Sequence, residues 1–223
     1  MSGPNEGSST QAQFNSALLI IDLISDFEFE DGDKLFPQAL AAAENVARLK
    51  AKAKKSRVPV IFVNDNYGRW NDDFSAYKRF IREKSDKGRK VLDLVEPEPD
   101  DYFILKPQRS GFYATALGVL LLSMNVSTVI VTGVTSDICV LFTAHDAYMR
   151  GFHVRVPGDC SAAVEKRYHE QAMDLLARVA DADTGESSGI TFSQTRDRGG
   201  DFAARPELPV SGITASLRIG GLQ

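Results

Sequence analysis

Residues 129–140 read VIVTGVTSDICV, and the fold turns on how that stretch is taken. Val129, Ile130, Val131 and Thr132 form an unbroken β-branched run, which predicts a strand covered on both faces. Gly133 breaks the run. Ser136 or Asp137 can then cap a helix that carries Cys139 in its first turns and ends at Arg150, where Gly151 stops it. A strand, a tight turn and a helix place the thiol at the carboxyl end of a strand, where open sheets hold their sites. A helix N-terminus favours an anion, so the same placement predicts a lowered thiol pKa. Free cysteine is also a common small core residue, and this stretch alone leaves both readings open.

Outward from there, the chain alternates strand and helix. Ala17–Leu23 is a continuous apolar run with Asp22 near its end, and reads as the first buried strand. Pro37 suits the first turn of a helix that continues over Gln38–Lys55. Val58–Val63 is the second strand, Asn64–Phe74 a polar and aromatic loop, and Ser75–Lys84 a short helix. Lys90–Val95 is ambiguous, and Glu96–Asp101 (EPEPDD) is an acidic connector. Tyr102–Leu105 is a third strand that delivers Lys106, which Pro107 biases toward an extended backbone. Gly111–Met124 reads as an apolar helix, Phe152–Val156 as a strand and Ala162–Ala180 as the last helix, with Val179–Asp183 blurring into an edge strand. The expected fold class is α/β: a three-layer, doubly wound sheet of about five to six mainly parallel strands with helices on both faces. The expected divisions are a disordered segment 1–15, a domain 16–183, and a tail or arm 184–223.

The 223 residues are 43% hydrophobic and 25% charged, with a net charge of −4. A pI near 5.5 gives no electrostatic basis for a nucleic-acid partner. The longest apolar run, near Leu117–Met124, is too short to span a bilayer, so no membrane role is expected. Two cysteines and an N-terminus without a secretory pattern predict a reduced, cytoplasmic protein. Cys160 reads as a structural thiol.

Asp22, Lys106 and Cys139 share one property: each ends or follows a strand, so a parallel sheet brings all three to one edge. Singly, the Asp is a common turn residue and the Lys a common surface charge. Jointly they resemble a nucleophile with its proton acceptor and a cation. Histidine is the usual base for a thiol, but His145, His153 and His169 are placed on another helix face, at a strand start and inside the last helix. Asp22 is then the candidate base, and Lys106 offsets two neighbouring anions. The turn at Val134–Thr135 and the N–H of Cys139 can supply donors to an oxyanion.

Three segments in register, ALLIIDLISDF (17–27), LKPQRSGFYATAL (105–117) and VIVTGVTSDICVLFTAHDAYMRGF (129–152), followed by VPGDCSA, resemble the isochorismatase-like cysteine hydrolases. That group includes isochorismatases, nicotinamidases, N-carbamoylsarcosine amidases and ureidoacrylate amidases. The resemblance covers about residues 16–183. It implies that Asp22, Lys106 and Cys139 are the catalytic triad and that Val134–Thr135 is a cis peptide aiming the Thr135 N–H at the oxyanion. It also implies thiolate attack on an amide-type carbonyl, loss of an amine, and hydrolysis of a thioester. Isochorismatases instead cleave a vinyl ether, some without the cysteine, so Cys139 favours amidase chemistry.

The sequence departs from the pattern twice. Ile24 stands where many members have Gln. NDNYGRW has Asp65 but Tyr67 in place of the second metal-binding residue of nicotinamidases, a poor transition-metal site. No metal and no cofactor are therefore expected. Phe27, Asn66, Tyr67 and Trp70 are candidates to line a small-molecule pocket, or to cover core or a subunit contact. Arg109 can meet a carboxylate or be an exposed charge. The resemblance implies a homo-oligomer, with Phe112, Tyr113 and the tail as contact candidates. Two alternatives stand beside the C–N hydrolase: a vinyl-ether hydrolase of isochorismate type, and a non-catalytic binding protein on the same scaffold.

Overall fold

A computed structural model describes residues 16–65 and 73–192. In chain order it runs β1 (Ser16–Ile21), α1 (Gly32–Lys55), β2 (Val60–Asp65), α2 (Phe74–Lys84), α3 (Asp86–Val95), β3 (Tyr102–Lys106) and α4 (Leu117–Ser123). It continues with β4 (Thr128–Val134), a π turn (Ser136–Val140), α5 (Leu141–Met149), β5 (His153–Arg155), β6 (Ser161–Ala162) and α6 (Lys166–Val179). Five strands lie in the order β3-β2-β1-β4-β5, and β6 pairs with the end of β4. Every one of these pairings is parallel.

Continuous apolarity explains the middle of the sheet. Leu18, Ile20, Val60, Phe62 and Ile130 face α1, α2 and α3. Leu19, Ile21, Ile61, Val63, Val129 and Val131 face α4, α5 and α6. Burial on both faces is what a doubly wound parallel sheet demands of its strands.

Local chemistry moves several boundaries from those expected. α1 begins five residues before Pro37, which stands in its second turn. Leu35 and Ala39 anchor that early start in the core. Gly32 is required there, because a Cβ would lie 1.9 Å from the Phe27 carbonyl oxygen. The helix expected over Gly111–Met124 forms only from Leu117. Before it, Thr115 Oγ1 bonds the Gly111 carbonyl, and Ala114 is left-handed with φ 52°. The last helix starts at Lys166, because Ser161 and Ala162 pair with Gly133 and Val134 instead.

The end of the expected domain, at Asp183, and the first residues of the expected tail both pack onto the sheet and its helices. Asp183 forms a bridge with Arg155, Ser187 donates from N and Oγ to Asp159 at 2.8 and 2.6 Å, and Ile190 is buried in the core. The expected disordered segment and most of the expected arm lie outside the described residues. Among the described residues, no helix is long and apolar enough to cross a membrane.

Candidate active site

β1, β3 and β4 all end on one edge of the sheet. Just past β1, Asp22 is 7% exposed and left-handed, with φ 47°, a region Asp tolerates better than most residues. Its N–H bonds the Val63 carbonyl at 3.0 Å, and its Oδ1 accepts the Asp65 N–H at 2.7 Å, so the end of β2 fixes the carboxylate. Lys106 is the last residue of β3, and its side chain has no exposed surface. Its Nζ lies 2.8 Å from Asp22 Oδ2, 3.1 Å from the Gln108 carbonyl, 3.6 Å from Cys139 Sγ and 3.7 Å from Asp65 Oδ2. The three residues expected to meet therefore do meet, with the ammonium between carboxylate and sulfur.

Cys139 rides on a π turn. The Ile138 and Val140 N–H groups both bond the Thr135 carbonyl, at 3.2 and 3.1 Å. Neither Ser136 nor Asp137 caps it: Thr135 holds the cap position without a side-chain bond. The peptide Val134–Thr135 is cis.

The electrostatics reverse one expectation. Burial pushes the Cys139 thiol up to about 12; the Asp22 charge adds to the rise and Lys106 opposes it. A helix N-terminus does not overcome the desolvation here. Burial also raises the Asp22 carboxyl above its ordinary range, against Lys106 and against hydrogen bonds from Cys139, Lys106 and the Asp65 N–H. Burial lowers Lys106, but Asp22, Cys139 and Asp65 together outweigh it and raise the ammonium. A thiol pushed up beside a carboxyl group of strengthened basicity suits proton transfer during attack better than a standing thiolate.

The pocket candidates fare unevenly. Phe27 is 1% exposed and meets Phe36 edge-on at 5.5 Å, so its ring is core packing. Asn66, Tyr67 and Trp70 lie outside the described residues. Arg109 is exposed, three residues past Lys106, and its guanidinium stands 5.9 Å from the Phe142 ring on the first turn of α5. Ile24 is wholly buried, and its carbonyl accepts from Asn64 Nδ2 and the Tyr77 hydroxyl. Phe112 is 5% exposed and packs near Phe152, so it is no contact surface, whereas Tyr113 is exposed. Cys160 is fully buried. A cavity of about 420 Å³ lined by His153, Arg155, Asp183 and Ile190 opens at the opposite edge of the sheet, away from the thiol. Among the described residues, no three His, Cys, Asp or Glu side chains are grouped to hold a metal.

Sequence reasoning missed one contact. His169 Nδ1 lies 3.1 Å from Ser136 Oγ, inside the turn that presents Cys139. The signal was present: His169, Ala172 and Leu176 fall at i, i+3 and i+7, one stripe of α6, and the latter two are buried.

Residues 16–187 match the isochorismatase domain model. The chain is 36% identical, over 74% of its length and 90% of the relative's, to an uncharacterized isochorismatase family protein of Bacillus subtilis. It is 30% identical, over 70% of its length and 84% of the relative's, to a probable inactive nicotinamidase of Arabidopsis thaliana. The crystal structure of N-carbamoylsarcosine amidase from Thermoplasma acidophilum superposes with a TM-score of 0.60 at 27% identity, covering 79% of this chain and 98% of that one.

Proposed function

The chain belongs to the isochorismatase family of hydrolases, and on that footing we propose that it is a metal-independent cysteine hydrolase cleaving a C–N bond of a small amide or carbamoyl compound. The observation that carries the reading is Lys106 Nζ, set 2.8 Å from Asp22 and 3.6 Å from Cys139 Sγ. In the first step Asp22 takes the thiol proton as Sγ attacks the carbonyl carbon. The oxyanion is held by the N–H groups of Thr135 and Cys139. Collapse breaks the C–N bond, and Asp22 returns its proton to the departing amine. Asp22 then takes a proton from water, which attacks the thioester, and the acid leaves as the thiol reforms. Lys106 keeps Asp22 ionised between steps and supplies the positive charge that two neighbouring anions require. Arg109, whose guanidinium stands 5.9 Å from the Phe142 ring, fits a substrate that carries a carboxylate.

The test is a panel of small amides, ureido acids and carbamoyl acids scored for ammonia or amine release, with Cys139→Ala and Asp22→Asn as controls. Release that both substitutions abolish supports the reading. A Cys139→Ala protein that still hydrolyses an isochorismate-like ether replaces it with vinyl-ether chemistry. Saturable binding across the panel without turnover makes the protein a binder on an enzyme scaffold.

A further inference from the structure

We infer that His169 is a positioning residue, acting through Ser136 to fix the turn that presents Cys139. The inference rests on the cysteine-hydrolase reading only in taking Cys139 as the reacting group.

The turn is poorly secured by its own side chains. Its cap, Thr135, makes no side-chain bond, and Thr135 Oγ1 and Asp137 Oδ1 are buried with no hydrogen-bond partner among the described residues. The external fastening comes from α6. His169 Nδ1 meets Oγ of Ser136, which has no exposed surface and stands three residues before the thiol. Behind the ring, Nε2 lies 3.8 Å from where a Cβ on Gly158 would stand, the same distance as Met173 Sδ. The imidazole therefore sits between the nucleophile turn and the bend at Gly158. Burial lowers its pKa, although the charges of Glu170 and Asp137 oppose the fall, so the ring meets Ser136 as a neutral group. No hydrogen bond among the described residues joins His169 to Cys139, Asp22 or Lys106, so its effect passes through Ser136. Displacing a reacting atom by about 1 Å can cost about a hundred-fold in rate.

The geometry selects its own control. In His169→Asn the amide falls near the position of Nδ1, whereas in His169→Gln it falls near Nε2. Each variant is compared in three ways: the rate of Cys139 alkylation by iodoacetamide at neutral pH, read by peptide mass; kcat and KM on an amide the wild type turns over; and the denaturation midpoint. Cys160, fully buried, is the internal control for unfolding. His169→Gln should slow alkylation and lower kcat about ten-fold, with KM within about two-fold, and His169→Asn should restore most of both. Ser136→Ala should match His169→Gln, and combining the two should add little, because both break one contact. The inference is overturned if His169→Gln alkylates and turns over at the wild-type rate, if Asn rescues no better than Gln, or if every loss follows the midpoint. A Cys139→Ala protein that still releases ammonia would instead overturn the cysteine-hydrolase reading, leaving the alkylation result to judge His169.

Discussion

Lys106 holds its charge with no side-chain exposure, and it pulls in one direction on two partners. It lowers the thiol, while the Asp22 charge raises it. The two substitutions should therefore separate. Lys106→Met should slow Cys139 alkylation about ten-fold and abolish turnover. Asp22→Asn should leave alkylation as fast as wild type or faster, because Lys106 then acts on the sulfur alone, yet lose at least about a hundred-fold in kcat because no base remains. The pH profile follows from the raised Asp22 carboxyl. Only ionised Asp22 accepts a proton, so kcat/KM should fall as pH drops through an apparent pKa above the ordinary 3.8 of a carboxyl group. A limb near pH 8 to 9, the range of an ordinary thiol, would contradict the raised Cys139. Stability is coupled as well. Either single substitution takes the nearest partner from a buried charge and should cost about 3 kcal/mol, whereas the Asp22→Asn, Lys106→Met double should cost less than the sum, measured in urea.

At the level of elements, Gly133 decides how closely β1 and β4 approach where they deliver the site. Its φ is 112°, and a Cβ there would stand 2.0 Å from the Ile21 carbonyl oxygen. Gly133→Ala should destabilise by about 3 kcal/mol or more and reduce turnover, because the strand ends must part. The segment after α6 is as much a part of the domain. Ile190→Ala should cost about 2 to 4 kcal/mol in chemical denaturation, and Asp159→Ala should release Ser187 with a smaller loss. This segment was illegible in the sequence for a physical reason. Thr184–Phe192 has no period, since one buried isoleucine and a two-point clamp on Asp159 hold it rather than a repeating face. The strands were legible because burial on both faces forces unbroken apolar runs such as Leu18–Ile21. The acidic connector hid its role similarly. Lys50 meets Asp101 at 2.9 Å and Lys54 meets Asp100 and Asp101 at 2.5 and 2.7 Å, so the charges of that connector tie α1 to the start of β3.

Across the whole molecule, the meeting of Asp22, Lys106 and Cys139 could be read in advance because parallel topology alone sends strand ends to one edge. The state of the thiol could not, because desolvation depends on everything packed around it. His169 escaped for a related reason: a residue inside a helix declares its face in sequence but not its neighbour. The exposed surface also carries apolar groups that no fold requires. Val119 and Leu122 share one face of α4 and are 73% and 50% exposed, and Phe142 and Met149 lie exposed on α5. Patches of this kind mark association. A Val119→Lys, Leu122→Lys protein should show a lower solution mass by light scattering than the parent, with its melting temperature nearly unchanged. Equal masses would show that this face takes no part in self-association. The placing of the reactive atoms on three separate strands has a last consequence. No sub-segment of the chain assembles them, and loosening any one of β1, β3 or β4 scatters them. Enzymatic output thus serves as a gauge of intact tertiary structure: under rising urea it should vanish along the same curve as the protein's folded signal, with no active remnant beyond the transition.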